Sequence, residues 1–211
     1  MSLSDKIHES LRCFEAISVG GLQGVAFQRR YDTKYLCSEE TLVKLLGKLG
    51  DDYLILRDMD RLITRYQTLY FDTEDLRCFH DHRRGRRSRY KVRIRSYPER
   101  AVAFMEIKEK TNRNETRKHR LERSIDALPE LSFQEVEAIE ERTPFCASDL
   151  RPHLRTAFRR LTLVEQCSRE RVTVDLDLVF SHQEEQKSLP GLAIVEVKQG
   201  CYSQRGPIVG A

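Results

Sequence analysis

The stretch Arg83–Arg95, RRGRRSRYKVRIR, carries a cation at every second position of its latter half. Side chains alternate across a β-strand, so Arg89, Lys91, Arg93 and Arg95 share one face and Tyr90, Val92 and Ile94 the other. Four neighbouring cations repel one another unless a multiply charged anion lies between them, or unless they point to water and guard an edge strand. The pattern recurs along the chain. FMEIKEK sets Phe104, Glu106, Lys108 and Lys110 against Met105 and Ile107, and RYDTKY sets Arg30, Asp32 and Lys34 against Tyr31, Thr33 and Tyr35. RVTVDLDL places Arg171, Thr173, Asp175 and Asp177 opposite Val172, Val174, Leu176 and Leu178; AIVEVKQ places Glu196 and Lys198 opposite Ala193, Val195 and Val197. These are five strands of period two. Leu62–Phe71, Arg117–Arg123 and Leu154–Val164 bring the expected number to eight.

Such a sheet either turns its polar faces to water as a sandwich or closes into a barrel with the charges inside, its apolar exterior then covered by helices. Helical patterns do stand beside the strands. Ser38 is a candidate N-cap for a run with Leu42, Leu45, Leu46 and Leu49 at helical spacing. Ser132 heads a second run with Phe133, Val136 and Ile139, and Leu3, Ile7, Leu11 and Phe14 mark a short N-terminal helix. The charged faces mix Arg and Lys with Asp and Glu, as an enclosed site requires. The expected fold is α+β: an eight-stranded antiparallel β-barrel, or tunnel, with a charged interior and helices packed outside.

A length of 211 residues suits one domain, and VGGLQG at 19–24 reads as a joint behind the N-terminal helix. Lys plus Arg number 37 against 33 Asp plus Glu, a net +4, so clustering rather than overall charge carries the information. The six cysteines (Cys13, Cys37, Cys78, Cys146, Cys167, Cys201) form no CxxC pair, which fits reduced thiols better than a disulfide framework or a zinc site. No apolar run approaches the ~20 residues of a membrane span, and no signal peptide is evident, so a cytoplasmic location is expected. His80-Asp81-His82 lacks a third ligand and reads as a solvated turn; Tyr66, Tyr70 and Phe71 read as packing residues.

The order RYDTKY, TLYFDT, RSRYKVRIRSY, FMEIKEK, LRPHLRTAFRR, RVTVDLD and AIVEVKQG resembles the VTC domain, the polyphosphate polymerase branch of the triphosphate tunnel metalloenzymes. The resemblance runs from about Phe27 to Gly200. It implies an eight-stranded tunnel, a nucleoside triphosphate bound within it, and a divalent metal, Mn²⁺ or Mg²⁺. It also implies transfer of the terminal phosphoryl group of ATP onto a growing polyphosphate chain. By match to the family's motifs, Lys34, Arg93, Arg95, Lys108, Lys118, Arg160 and Arg171 are the catalytic cations. Arg30, Lys91, Arg120 and Lys198 add phosphate contacts, and Glu196 and Glu106 are the metal-ligand candidates. Asp175 and Asp177 are further acids that could assist the metal.

Three departures stand out. Phe158 occupies a position where many relatives carry tyrosine. Arg30, Asp32 and Lys34 form RxDxK where the hydrolytic branch has ExExK. The late SKY- or SKF-type segment with another phosphate-binding lysine is missing before Ala211. The expectation is an N-terminal helix and linker, residues 1–26, and a tunnel domain, residues 27–211, that is shortened at its C-terminus or lacks that ligand.

The chemistry agrees with the residue types. A triphosphate carries about four negative charges, and burying it demands paired cations and hydrogen-bond donors. Arg offers a planar fork and Lys a compact charge, so cations on several strands replace the backbone amides of a P-loop, whose GxxxxGK[ST] sequence is missing here. Expected partners are ATP or another nucleoside triphosphate, polyphosphate, orthophosphate and pyrophosphate, with room for a membrane partner. A triphosphatase of the same fold, or a module that binds polyphosphate or nucleotide without catalysis, are the alternatives. Nucleic acid is disfavoured, because Tyr90 falls on the apolar face and acids interrupt the bases on the other strands.

Overall fold

The computed structural model describes residues 2–22, 31–113, 115–127, 129–167, 170–200 and 208. Arg30, Cys201 and the expected boundary at residues 26 and 27 lie outside them. Among the described residues there are four α-helices and eleven strands, an α+β fold with a mostly antiparallel sheet in which β1 and β3 pair in parallel. In chain order the elements are α1 (Leu3–Ser10), β1 (Ala16–Ser18), β2 (Tyr31–Ser38), α2 (Glu39–Leu49), β3 (Tyr53–Arg57), β4 (Thr64–Asp72), α3 (Arg77–Arg83) and β5 (Arg89–Tyr97). There follow β6 (Val102–Lys110), β7 (Thr116–Ser124), α4 (Phe133–Arg142), β8 (Arg151–Glu165), β9 (Arg171–His182), β10 (Glu185–Leu189) and β11 (Leu192–Gln199). The chain divides into two compact units: residues 1–65, 158–178 and 188–211 form the first, and residues 66–157 and 179–187 the second.

In the first unit the strands run β2–β11–β9–β8–β3–β1 by hydrogen bonding, with β1 parallel to β3. Period-two alternation works as expected: Val172, Val174 and Leu176 of β9 and Ala193, Val195 and Val197 of β11 turn their apolar side into one core. The helices α1 and α2 cover that core with Ile7, Leu42, Leu46 and Leu49, joined by Leu11 and Phe14 from the segment after α1. Ser38 caps α2, its hydroxyl accepting from the Thr41 amide at 3.1 Å. Beneath lies a buried network in which the Tyr53 hydroxyl donates to Glu170 at 2.5 Å and the Gln199 amide donates to the other Glu170 oxygen.

In the second unit β4–β5–β6–β7 form an antiparallel ladder, with β8 beside β4. Leu69, Phe71, Val92, Ile94, Met105 and Ile107 point into a second core. Helix α4 closes it with Ala138 and Ile139, while Phe133, expected on the buried stripe, is 81% exposed. The reason is electrostatic anchoring. Glu135 accepts from the Ser132 amide at 2.8 Å and takes both carboxylate contacts, 3.1 and 3.2 Å, from Arg123 of β7, and this fixes which side of the helix faces the sheet.

The expected closed eight-stranded barrel is not what the described residues form. Neither ladder returns on itself: β2 ends one and β7 the other. Both behave as edges, β2 exposing Tyr31 and Leu36 and β7 exposing Arg117 and Lys118. The three unforeseen strands have plain causes. β1 is three residues long, β3 (YLILR) is an apolar run without alternation, and β10 (EQKSL) is polar throughout. Helix α3 was also unforeseen, because its signal is remote from the helix: the buried carboxylate of Asp72 accepts from the amides of Cys78 and Phe79 at 2.8 and 2.9 Å. Cys13, Cys37, Cys78, Cys146 and Cys167 are free thiols, and no helix among the described residues is long and apolar enough to cross a membrane.

Because Arg123 and Glu135 are 7% and 3% exposed, removing one partner strands the other's charge. Glu135→Ala is expected to cost about 3–5 kcal/mol and lower the thermal midpoint by about 10 °C, read by differential scanning calorimetry. A paired Arg123→Met, Glu135→Leu replacement should recover most of that loss; the same loss in the pair as in the single variant would exclude the electrostatic account.

Candidate functional site

Strand register builds the charged face of the second unit row by row. Lys91 of β5 stands opposite Lys108 of β6, which stands opposite Lys118 of β7. Two residues along, the row is Tyr70, Arg93, Glu106 and Arg120; beyond it come Thr68, Arg95 and Phe104. Rows are ~6.8 Å apart along the strands and side chains within a row are neighbours, so six cations lie in the rows around Glu106, with Glu122 at the far end of the third row opposite Phe104. Like charges directly opposite one another oppose pairing, and a row of three lysines therefore favours an anion over the face.

Glu106, 1% exposed, sits at the centre. Arg93 holds Oε2 with Nε at 2.8 Å and Nη2 at 2.7 Å, while Lys118 Nζ lies 2.7 Å and Arg120 Nε 3.2 Å from Oε1. Burial raises the pKa of this carboxyl, but the charge of Arg93 and the bond and charge of Lys118 outweigh it and hold it down at about 2. Aromatic rings brace the cations from below. Tyr70 lies under Arg93 at 5.9 Å and accepts from it through the hydroxyl at 3.3 Å, and Tyr66 lies under Arg95 at 5.8 Å. Phe104 and Tyr97 flank Arg120, whose Nη2 donates to the Tyr97 hydroxyl at 2.9 Å. Arg95 donates to Thr68 Oγ1 at 3.2 Å, and among the described residues no carboxylate lies within ion-pair distance of it. Burial, then the neighbouring Arg93, push its pKa below the ordinary arginine value.

The first unit carries the other sequence-predicted residues. Lys34, Glu196 and Thr173 form one row across β2, β11 and β9, and Asp32, Lys198 and Arg171 the next. Glu196 accepts from Lys198, lies 3.8 Å from Lys34 and 3.5 Å from the Thr173 hydroxyl. Burial raises its pKa, yet Lys198 and then Lys34 bring it below the usual carboxylate value; burial likewise lowers the pKa of Lys198. Arg160, its guanidinium 5.0 Å from the Phe158 ring, grips Asp175 through two bonds of 2.5 and 2.7 Å. Asp177 departs from the expected face. Its backbone is left-handed (φ 51°), which breaks the alternation of β9, and its carboxylate pairs with Arg159.

The expected residues thus fall into two groups, Lys91, Arg93, Arg95, Glu106, Lys108, Lys118 and Arg120 in one unit and Lys34, Arg160, Arg171, Glu196 and Lys198 in the other. Tyr66 and Tyr70 were read as packing residues, and Tyr97 and Thr68 were not singled out. The signal was present: TRYQTLY alternates Tyr66, Thr68 and Tyr70 on one face, and pairing it with RYKVRIRSY puts them against the arginines. As to metal, no group of three or more His, Cys, Asp or Glu side chains among the described residues could enclose an ion. Glu106 is saturated by cations, whereas Glu196 retains some exposure and a hydroxyl neighbour.

A sequence model described as the VTC domain matches residues 29–208. No curated protein sequence matches the chain. Among solved structures, a proposed adenylate cyclase from Bacillus halodurans shares 15% identity over 79% of this chain and 78% of its own, with a TM-score of 0.48. A proposed adenylyl cyclase from Hippeastrum, described as revealing a dominant triphosphatase activity, shares 14% over 81% and 80%, TM-score 0.44. The PH1012 protein from Pyrococcus horikoshii shares 12% over 85% and 81%, TM-score 0.41.

A carboxyl held at about 2 in the fold and 4.5 in the unfolded chain stabilises the protein fully above pH 4.5. That stability is lost as pH falls from 4.5 toward 2. Glu106→Gln should therefore be less stable than the parent at pH 7, and the deficit should shrink as denaturant melts are repeated from pH 5 down to pH 2.5. A deficit independent of pH would mean that Glu106 is not an ionised hub.

Proposed function

The chain belongs to the VTC domain family, and from that premise we propose that it binds a triphosphate on the cationic β-sheet face and elongates polyphosphate from ATP. The observation that carries the reading is the set of six cations in the rows around Glu106, of which only Arg93, Lys118 and Arg120 pair with it, so that the face keeps an excess of positive charge. Arg95 and Arg93 are the main phosphate forks; Lys91, Lys108, Lys118 and Arg120 neutralise the remaining oxygens. In the transfer, a terminal oxygen of the polyphosphate attacks the γ-phosphorus, the bond from that phosphorus to the β,γ-bridging oxygen breaks, and ADP leaves with the negative charge. Phosphoryl transfer asks for positioning and charge neutralisation, which such a face supplies.

Transfer to phosphate is favoured over hydrolysis by the state of Glu106. Water as nucleophile needs a carboxylate to orient and deprotonate it, and a carboxylate with three cations and a pKa near 2 is a poor base. An anionic phosphate oxygen needs no base. In the first unit, Lys34, Lys198, Arg160 and Arg171 are further phosphate ligands. Glu196 would hold Mn²⁺ or Mg²⁺ as the protein carboxylate of the site. The metal would neutralise phosphate charge. Polyphosphate chemistry of this kind fits the cytoplasmic location expected of the chain.

Incubation with γ-labelled ATP and Mn²⁺, resolved on a gel, tests the reading. A ladder of long labelled chains is expected; labelled orthophosphate alone would move the assignment to a triphosphatase, and no turnover with retained ATP binding would make it a binding module. Arg95→Ala should weaken tripolyphosphate binding by roughly 10- to 100-fold, the worth of one charged hydrogen-bonding partner. Glu196→Ala should abolish metal dependence with the fold intact. Unchanged binding and activity in both variants would refute the site.

A further inference from the structure

A cavity of about 400 Å³ lies within the second unit, lined by the end of β4, the start of β5, α3, the start of β8 and the end of β9. Nothing in the preceding reading uses it. Its walls are largely apolar and aromatic, with Phe79 of α3 51% exposed, an unusual position for so large a ring. The polar groups in it are few and arranged. The imidazoles of His153 and His182 stack in parallel, 5.3 Å between centroids and 6° between planes. His182 Nδ1 donates to the His153 carbonyl at 2.5 Å, which fixes the orientation of the ring. His82 Nε2 lies 3.2 Å from Lys91 Nζ.

Two lining residues tie the cavity to the cationic face. Lys91 heads the lysine row, and Tyr70 borders the cavity while its hydroxyl accepts from Arg93. A ligand with a flat aromatic body in the cavity would carry an attached anion directly to Lys91 and Arg93, one strand repeat or ~6.8 Å apart. A bare phosphate chain would leave the aromatic walls of the cavity without use.

We infer that this cavity takes the base and sugar of the nucleotide whose phosphates lie on the β5 face. The inference rests on the triphosphate reading above and deepens it: the substrate is a nucleotide held at both ends rather than a triphosphate held by charge alone. The volume is within the ~300–1,000 Å³ of ordinary small-ligand pockets. Phe79 and the stacked histidines supply flat surfaces for a base, a contact that does not depend on which base it is.

The test compares ATP, adenosine and inorganic tripolyphosphate by isothermal titration in the full chain and in Phe79→Ala and His153→Ala, each checked for an unchanged thermal melt. Phe79 is exposed, so its loss spares the core. Both variants are expected to weaken ATP and adenosine by about tenfold, the order reported by single stacking contacts, and to leave tripolyphosphate unchanged. An equal loss for ATP and tripolyphosphate, or no loss for either, overturns the assignment of the cavity. Failure of the parent protein to bind both ATP and tripolyphosphate overturns the triphosphate reading instead, and this inference with it.

Discussion

A carboxylate almost wholly removed from water stays ionised only when cations replace the water, and the charged half of this protein is arranged around that requirement at Glu106. Arg93, Lys118 and Arg120 each give up part of their charge to it, from strands on either side of β6. In return their side chains are fixed in direction, which flexible lysines and arginines on an open face would not be. The carboxylate cannot neutralise so many cations. What remains is an ordered excess of positive charge, and an anion that binds there meets groups already in place.

Packing alone would not produce this order. The apolar sides of β5 and β6 fill a core with Val92, Ile94, Met105 and Ile107, and the same backbone alternation forces Lys91, Arg93 and Arg95 to the other side. Tyr66, Tyr70, Tyr97 and Phe104 then act as a second layer, offering ring faces to guanidinium groups that would otherwise rest on apolar surface. The first unit repeats the device on a smaller scale, with Glu196 among Lys34 and Lys198, and Asp175 clasped by Arg160.

Much of this was legible in the sequence because strand alternation is a local property. All eight expected strands exist, since each carries its period of two within one short segment, and the rows of cations follow once the strands are paired. Closure was not legible, because it depends on which strands are neighbours. The left-handed turn at Asp177 was hidden too: RVTVDLDL alternates without a break, and only the backbone moves that acid to the other pairing, with Arg159. Helix α3 was missed for a related reason, its start being set by Asp72 on the preceding strand rather than by its own residues. The division of the site residues into two groups is likewise a matter of contacts far apart in sequence, which no single motif records.

The edge at β7 is protected by charge and not by shape. Arg117 and Lys118 stand exposed on a strand with one neighbour, where mutual repulsion keeps a second chain from adding to the ladder. Such a defence is only as strong as its electrostatics. Dissolved salt shortens its range to about 10 Å at 0.1 M, and an anion over the lysine row would neutralise Lys118 while leaving Arg117, on the other side of the strand, untouched. An anion bound over Lys118 would therefore also change how well this edge repels a second strand.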